Sequence, residues 1–179
     1  MKNYSIAIAT FYPGDIINKC LISLPEDREI LIIDNGNDEK LRKNLSEIKK
    51  NIRYYNIGDV GISKSLNFAI SKSSNDYVFI TQPDVIIFPS TIDNLIIAYE
   101  RYENIGIASP LVYDDKNYSQ YDHYDLKISK YGKILNNKKS SDLKKPDGDL
   151  CVEAINSTAL LVKKNIINKI GKWDENIYT

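Results

Sequence analysis

The chain has 179 residues, 42% hydrophobic and 27% charged, which suits one domain with a substantial core and leaves little for a second. Lysine plus arginine equals aspartate plus glutamate at 24 each, so no overall field favours nucleic acid or an anionic membrane, and an anionic ligand has to be held locally. No apolar run nears the roughly 20 residues of a spanning helix, the opening MKNYSIAIAT lacks the apolar region and cleavage site of a signal peptide, and two distant cysteines, Cys20 and Cys151, predict packing thiols in a cytoplasmic protein.

Ser5–Thr10 reads as a strand closed by the Pro13-Gly14 turn, and Asp15–Leu24 carries Ile16, Ile17, Cys20, Leu21 and Leu24 at helical spacing. Glu29–Ile33 is a second strand running into the polar turn Asp34-Asn35-Gly36-Asn37-Asp38. Lys40–Lys50 follows as a helix with Leu41, Leu45 and Ile48 on one face, then a short strand over IRYYNI (residues 52–57). Ile62, Leu66, Ala69 and Ile70 mark a third helix, and YVFIT (77–81) a fourth strand. Ser90 and Asp93 have the spacing of a capping box ahead of Ile92, Leu95, Ile96 and Tyr99. IGIASPLVY (105–113) is expected as a single fifth strand. Residues 114–148 break the pattern with a polar insert, expected to hold a hairpin at LKIS and GKIL. CVEAINSTALLVKK returns to strand character before a helix at Asn165–Ile170 and the closing GKWDENIYT.

Strands alternating with helices predict an α/β fold, a mostly parallel sheet flanked by helices, built from right-handed βαβ units. Ligands of such sheets bind at the carboxyl ends of the strands. Those ends are Thr10-Phe11-Tyr12, Asp34-Asn35, Asn56-Ile57-Gly58 and Gln82-Pro83-Asp84. Each alone reads as turn chemistry, Pro83-Asp84 included. Converging on one edge, they suggest a polar, anionic, nucleotide-like ligand. The first turn, TFYPGD, is not a G-x-G-x-x-G fingerprint, and no G-x-x-x-x-G-K-[ST] loop is present. The acids and lysine of a phosphoacceptor receiver are also out of place.

The ordered set SIAIATFY, EILIIDNGND, NIGDVGISKSLNFAI, FITQPDVII, INSTALLVKK and IGKWDENIY resembles family 2 glycosyltransferases of the GT-A (Rossmann-like) fold, and most of all their rhamnosyltransferase-like branch. The resemblance spans nearly the whole chain, 1–179, outside the insert. It implies that Thr10 and Tyr12 border the base and ribose, and that Asp34 and Asn35 occupy the acidic step that recognises the base edge. Asn56, Gly58 and Gly61 match the loop before the next helix, and Asn67 the asparagine within it; glycine there allows close approach of a ligand. Gln82-Pro83-Asp84 stands where the family carries D-x-D, with Gln82 replacing the first acid. Asp84 is then the ligand of Mg²⁺ or Mn²⁺, for which one carboxylate with phosphates and waters suffices. In the resembling branch the base-supplying acid pair follows the segment like GKWDENIY, and this chain ends just short of that point; Asp174 and Glu175 are the acids present near the acceptor side.

The implied activity is transfer of a sugar, with inversion, from a UDP- or dTDP-sugar to a hydroxyl acceptor (glycan or lipid-linked sugar) in surface polysaccharide assembly. The implied location is the cytoplasm, or peripheral contact at the inner face of the membrane. A degenerate domain that binds nucleotide-sugar without turnover is the alternative, and a nucleotidyltransferase-like domain a third.

Overall fold

The computed structural model describes residues 2–103, 105–113, 120–121, 123–128, 134–138, 149 and 154–177. The first strands are β1 (Tyr4–Thr10), β2 (Glu29–Asp34), β3 (Ile52–Asn56) and β4 (Tyr77–Thr81), alternating with helices α1 (Ile16–Ser23), α2 (Glu39–Ser46) and α3 (Ile62–Lys72). Helix α4 (Thr91–Arg101) leads to the short β5 (Ile107–Ala108) and β6 (Val112–Tyr113). Within and beyond the insert lie β7 (Gln120–Tyr121), β8 (His123–Ile128), β9 (Ile134–Lys138), β10 (Ala154–Ile155), β11 (Ala159–Lys163) and α5 (Lys164–Ile170).

Six strands form a mixed sheet in the order β3-β2-β1-β4-β11-β5. Pairs β1–β2, β1–β4 and β2–β3 are parallel, whereas β11 runs antiparallel between β4 and β5. The central strands are buried on both faces, as a covered sheet requires. Their period-2 alternation divides the core. Ile6, Ile8, Ile30, Ile32, Phe79 and Leu161 pack toward α1, α2 and α4 through Ile17, Leu21, Leu41, Leu45, Ile92 and Ile96. Ala7, Leu31, Ile33, Val78, Ile80 and Leu160 pack toward α3 and α5 through Leu66, Ala69, Ile70 and Ile167. Phe79 is fully buried at the centre, where truncation to alanine costs about 3–5 kcal/mol.

Two local expectations are corrected. The segment 105–113 is two strands, because Pro110 lacks the N–H a ladder needs; β6 leaves the main sheet and pairs with β7. Ser90 is not a side-chain cap: its backbone is left-handed (φ 64°), and its hydroxyl makes no bond to the helix. A capping serine needs extended geometry to reach the first-turn amides. The hairpin expected in the insert is present as β8 paired antiparallel with β9, and β10 adds to the other side of β8. Cys151 lies outside the described residues, and Cys20 is a buried free thiol. Among the described residues no helix is long and apolar enough to cross a membrane.

Candidate functional site

Strand register sets out the edge. Thr10 pairs with Asp34, and Asp34 with Asn56, so the last residues of β1, β2 and β3 stand side by side. On the other flank of β1, Thr81 is level with Ile8, which carries Gln82-Pro83-Asp84 to the same edge. The four strand ends foreseen in the sequence therefore do converge.

Asp34 is wholly buried and organises the loop that follows it. Its Oδ1 accepts from the Gly36 amide at 2.8 Å; its Oδ2 accepts from the Asp38 amide at 2.7 Å and the Tyr54 hydroxyl at 2.6 Å. Burial, then the hydrogen bond and charge of Asp34, push the Tyr54 phenol up, so it stays a donor. Three of the carboxylate's roughly four lone-pair sites are thus used inside the protein, and Asp34 acts chiefly by shaping residues 34–38. Asp38 passes the order on by capping α2 through the Leu41 amide at 3.0 Å.

Asn35 ties three elements together. Its backbone N–H and Nδ2 both donate to the Thr10 carbonyl, at 2.9 and 3.3 Å, while its Oδ1 accepts from Ser65 of α3 at 2.8 Å. The Thr10 hydroxyl is shielded from solvent and finds no partner among the described residues. Tyr12, at a positive φ of 45°, lays its ring over Gly36: a Cβ there would sit 2.9 Å from Cδ2 and 3.0 Å from Cε2. The ring itself is 60% exposed and packs edge-on against Phe11, which is equally exposed. Two aromatic faces are therefore presented to solvent at the end of β1.

Asn56 turns the next loop by accepting from the Gly58 amide at 3.0 Å, and it donates to Asn37 of the neighbouring loop. Gly58 (φ 71°) and Gly61 (φ 80°) occupy backbone conformations that a Cβ disfavours, and Gly61 directly precedes the first turn of α3.

Gln82-Pro83-Asp84-Val85 closes as a turn, the Val85 amide donating to the Gln82 carbonyl at 3.3 Å. The same carbonyl receives the Cys20 thiol at 3.6 Å, and the Gln82 amide bonds to Thr158 at 3.3 Å. Burial, and secondarily the charge of Asp84, raise the Cys20 thiol to about 12, so it remains a protonated donor holding this turn. Asp84 is exposed, and its carboxylate makes no hydrogen bond or ion pair with the described residues. It is a turn residue and a free acid together.

Asn67 and Glu175 meet on a different part of α3. The Asn67 amide bonds to Trp173 and Glu175, away from the strand-end cluster in its hydrogen bonding. Asp174 accepts from the backbone and side chain of Asn176 at 2.9 and 3.0 Å, closing a turn of its own. Tyr54, Ser65 and Cys20 escaped the sequence reading as site-shaping groups. Tyr54 stands two residues before the end of β3 on the face shared with Asp34, a period-2 signal that could have found it.

Among the described residues no three His, Cys, Asp or Glu side chains cluster as a metal cage. One free carboxylate fits a cation that brings most of its ligands with it, as Mg²⁺ bound to phosphates does.

A family model described as glycosyl transferase family 2 matches residues 5–161. No curated protein matches the sequence. Among solved structures, Staphylococcus aureus TarS 1–349 in complex with UDP is similar at 13% identity and a TM-score of 0.66, over 99% of this chain and 52% of that one. Its complex with UDP-GlcNAc gives 12% identity and a TM-score of 0.62, over 93% and 47%. The mannosyltransferase PcManGT from Pyrobaculum calidifontis, in complex with GDP-Man and Mn²⁺, gives 13% and 0.64, over 98% and 48%. The chain spans about half the length of these structures and shares with them the GT-A Rossmann-like architecture. With the family model covering most of its length, the chain belongs to glycosyl transferase family 2.

Proposed function

We propose that this chain is the donor-binding domain of a glycosyltransferase that moves a sugar from a nucleotide-diphosphate sugar to a hydroxyl acceptor with inversion. The observation that carries the reading is the alignment of Thr10, Asp34 and Asn56 along one sheet edge beside the exposed, unpaired Asp84. Solved structures of the same architecture hold UDP-GlcNAc, UDP or GDP-Man, which supports a nucleotide-sugar as ligand.

In this reading Thr10 and Tyr12 border the base and ribose, with Tyr12 held in place by Gly36 beneath its ring. Asp34 and Asn35 fix the loop against which the base edge is read. Asn56, Gly58 and Gly61 bring backbone close to the diphosphate, and Gln82 flanks it beside Asp84. Asp84 would hold the Mg²⁺ or Mn²⁺, whose charge offsets that developing on the departing diphosphate. Asp174 and Glu175 are the candidate bases for the acceptor hydroxyl, which must come within hydrogen-bond reach of one of them. The rhamnosyltransferase-like branch, a surface-glycan acceptor and work at the inner face of the membrane rest on motif order alone.

Calorimetric titration with UDP, dTDP and GDP, each with and without Mn²⁺, tests the donor site. The expected result is Mn²⁺-dependent binding of at least one diphosphate, weakened at least about tenfold, or about 1.4 kcal/mol, in Asp84→Ala. Absence of binding to all three refutes the reading. A second reading, binding without turnover, is favoured by one observation: Gln82 stands in place of the first acid of D-x-D. It predicts diphosphate binding with no consumption of donor sugar.

A further inference from the structure

Ser65 lies one turn into α3 and is fully buried. A hydroxyl in a helix commonly turns back to the carbonyl four residues before it, and Ser65 Oγ donates to the Gly61 carbonyl at 2.8 Å. It also donates to Asn35 Oδ1, again at 2.8 Å. One hydrogen is thus shared between two acceptors, one on its own helix and one on the loop after β2.

The second attachment of Asn35 is the Thr10 carbonyl, which receives Nδ2 at 3.3 Å and the Asn35 backbone N–H at 2.9 Å. The two partners have different parts. Thr10 decides which way the amide lies, because the reverse orientation sets its oxygen against a carbonyl, acceptor against acceptor. Ser65 pins the amide to α3. A primary amide has two N–H groups and two oxygen lone pairs, so one of each stays open among the described residues, on a side chain 8% exposed. The open donor and acceptor stand in a fixed order.

That order matters to a base. Uracil and cytosine share an outline, but uracil carries a carbonyl acceptor beside a ring N–H, whereas cytosine carries an amino donor beside a bare ring nitrogen. An amide held at two points fits one and opposes the other. Held at one point only, it swings until either is met. We propose that Ser65 is the positioning residue for base recognition: by pinning the Asn35 amide to α3 it makes the donor site discriminate a keto from an amino pyrimidine. This rests on the reading of Asn35 as a base-edge residue of a nucleotide-sugar site. Ser65, being buried, acts only through Asn35.

Calorimetric titration with UDP and with CDP, each with Mn²⁺, is the test. The intact chain is expected to favour one of the two by at least about tenfold. Ser65→Ala should shrink that preference at least about fivefold with the far-ultraviolet circular dichroism retained, and Asn35→Ala should shrink it likewise. In an Asn35→Ala background, Ser65→Ala should change the preference by less than about twofold, because the hydroxyl acts through the amide. An intact chain that does not tell UDP from CDP overturns the proposal. So does an additive double variant, or a loss of affinity shared equally by both diphosphates, which structural support alone would give. Should the variants fail to fold, the intact chain still decides by nuclear magnetic resonance. Its Ser65 hydroxyl proton is expected to exchange slowly enough to be observed, and free exchange with water overturns the proposal. A folded chain that binds none of UDP, CDP and GDP defeats the transferase reading and this premise with it; binding without selectivity defeats only this inference.

Discussion

Glu29, at the start of β2, offers a stability prediction whose size follows from its surroundings. Its carboxylate is 8% exposed. Oε2 accepts from the Ser5 hydroxyl and the Ser74 amide, and Oε1 from Arg53 at 2.6 Å and the Ser74 hydroxyl at 2.8 Å. Burial works to raise its pKa, but these four donors together outweigh burial and lower it from 4.5 to about 2. At about 1.36 kcal/mol per pH unit, that displacement corresponds to roughly 3 kcal/mol of folding stability. Because the folded-state value is the lower one, the contribution is fully present above pH 4.5 and drains away as the pH falls toward 2. Glu29→Gln keeps the shape and removes the charge. Urea unfolding followed by circular dichroism at pH 7, 4.5, 3.5 and 2.5 should therefore show the variant roughly 3 kcal/mol less stable at neutral pH, the gap closing on acidification. A gap that stays constant across this range would refute the argument, since a loss of packing alone does not titrate.

Three further outcomes are expected. Gly36→Ala places a methyl within 2.9 Å of the Tyr12 ring and 3.1 Å of its backbone nitrogen, so it should cost about 1–3 kcal/mol in urea unfolding and weaken diphosphate binding by displacing Tyr12. Tyr54→Phe removes one of three donors from the buried Asp34 carboxylate and should cost about 1.5–3 kcal/mol by the same measurement. Cys20, fully buried with its thiol raised to about 12, should resist Ellman's reagent at pH 8 in the folded protein and react once denaturant is added.

What the sequence made legible is what local pattern encodes. Runs such as EILII and YVFIT mark strands because short unbroken apolar stretches suit a sheet buried on both faces, and the stripe Ile62-Leu66-Ala69-Ile70 marks a helix because its apolar residues repeat at period 3.6. The convergence of Thr10, Asp34, Asn56 and Asp84 was also legible, since parallel strands put their carboxyl ends on one edge. Three features were not. The insertion of β11 antiparallel between β4 and β5 pairs residues some eighty and some fifty positions apart, to which alternation is blind. Ser90 has a capping residue's identity without its backbone. Asn67 reads as a loop-helix asparagine until its partners, 106 and 108 residues away, are seen.

The two ends of the sheet use their polar residues in opposite ways, and this argues for where function lies. At the amino end, Ser5, Glu29, Arg53, Ser73 and Ser74 satisfy one another, and Lys164 adds a bond to the Ser73 carbonyl. Such a closed network stabilises and has little left to offer a ligand. At the carboxyl end many internal bonds tie side chains to backbone, Asp34 to Gly36 and Asp38, Asn35 to Thr10 and Asn56 to Gly58, with Tyr54, Ser65 and Asn37 as side-chain partners. What remains unmatched there is the Thr10 hydroxyl, the Asp84 carboxylate and the exposed rings of Phe11 and Tyr12. A buried hydroxyl without a partner and aromatic rings left in water each cost stability. Their concentration on one edge, over loops tied down by the neighbouring bonds, supports the proposed donor site, in which a flat base would lie against the rings and a cation held by Asp84 would bridge to the anionic oxygens.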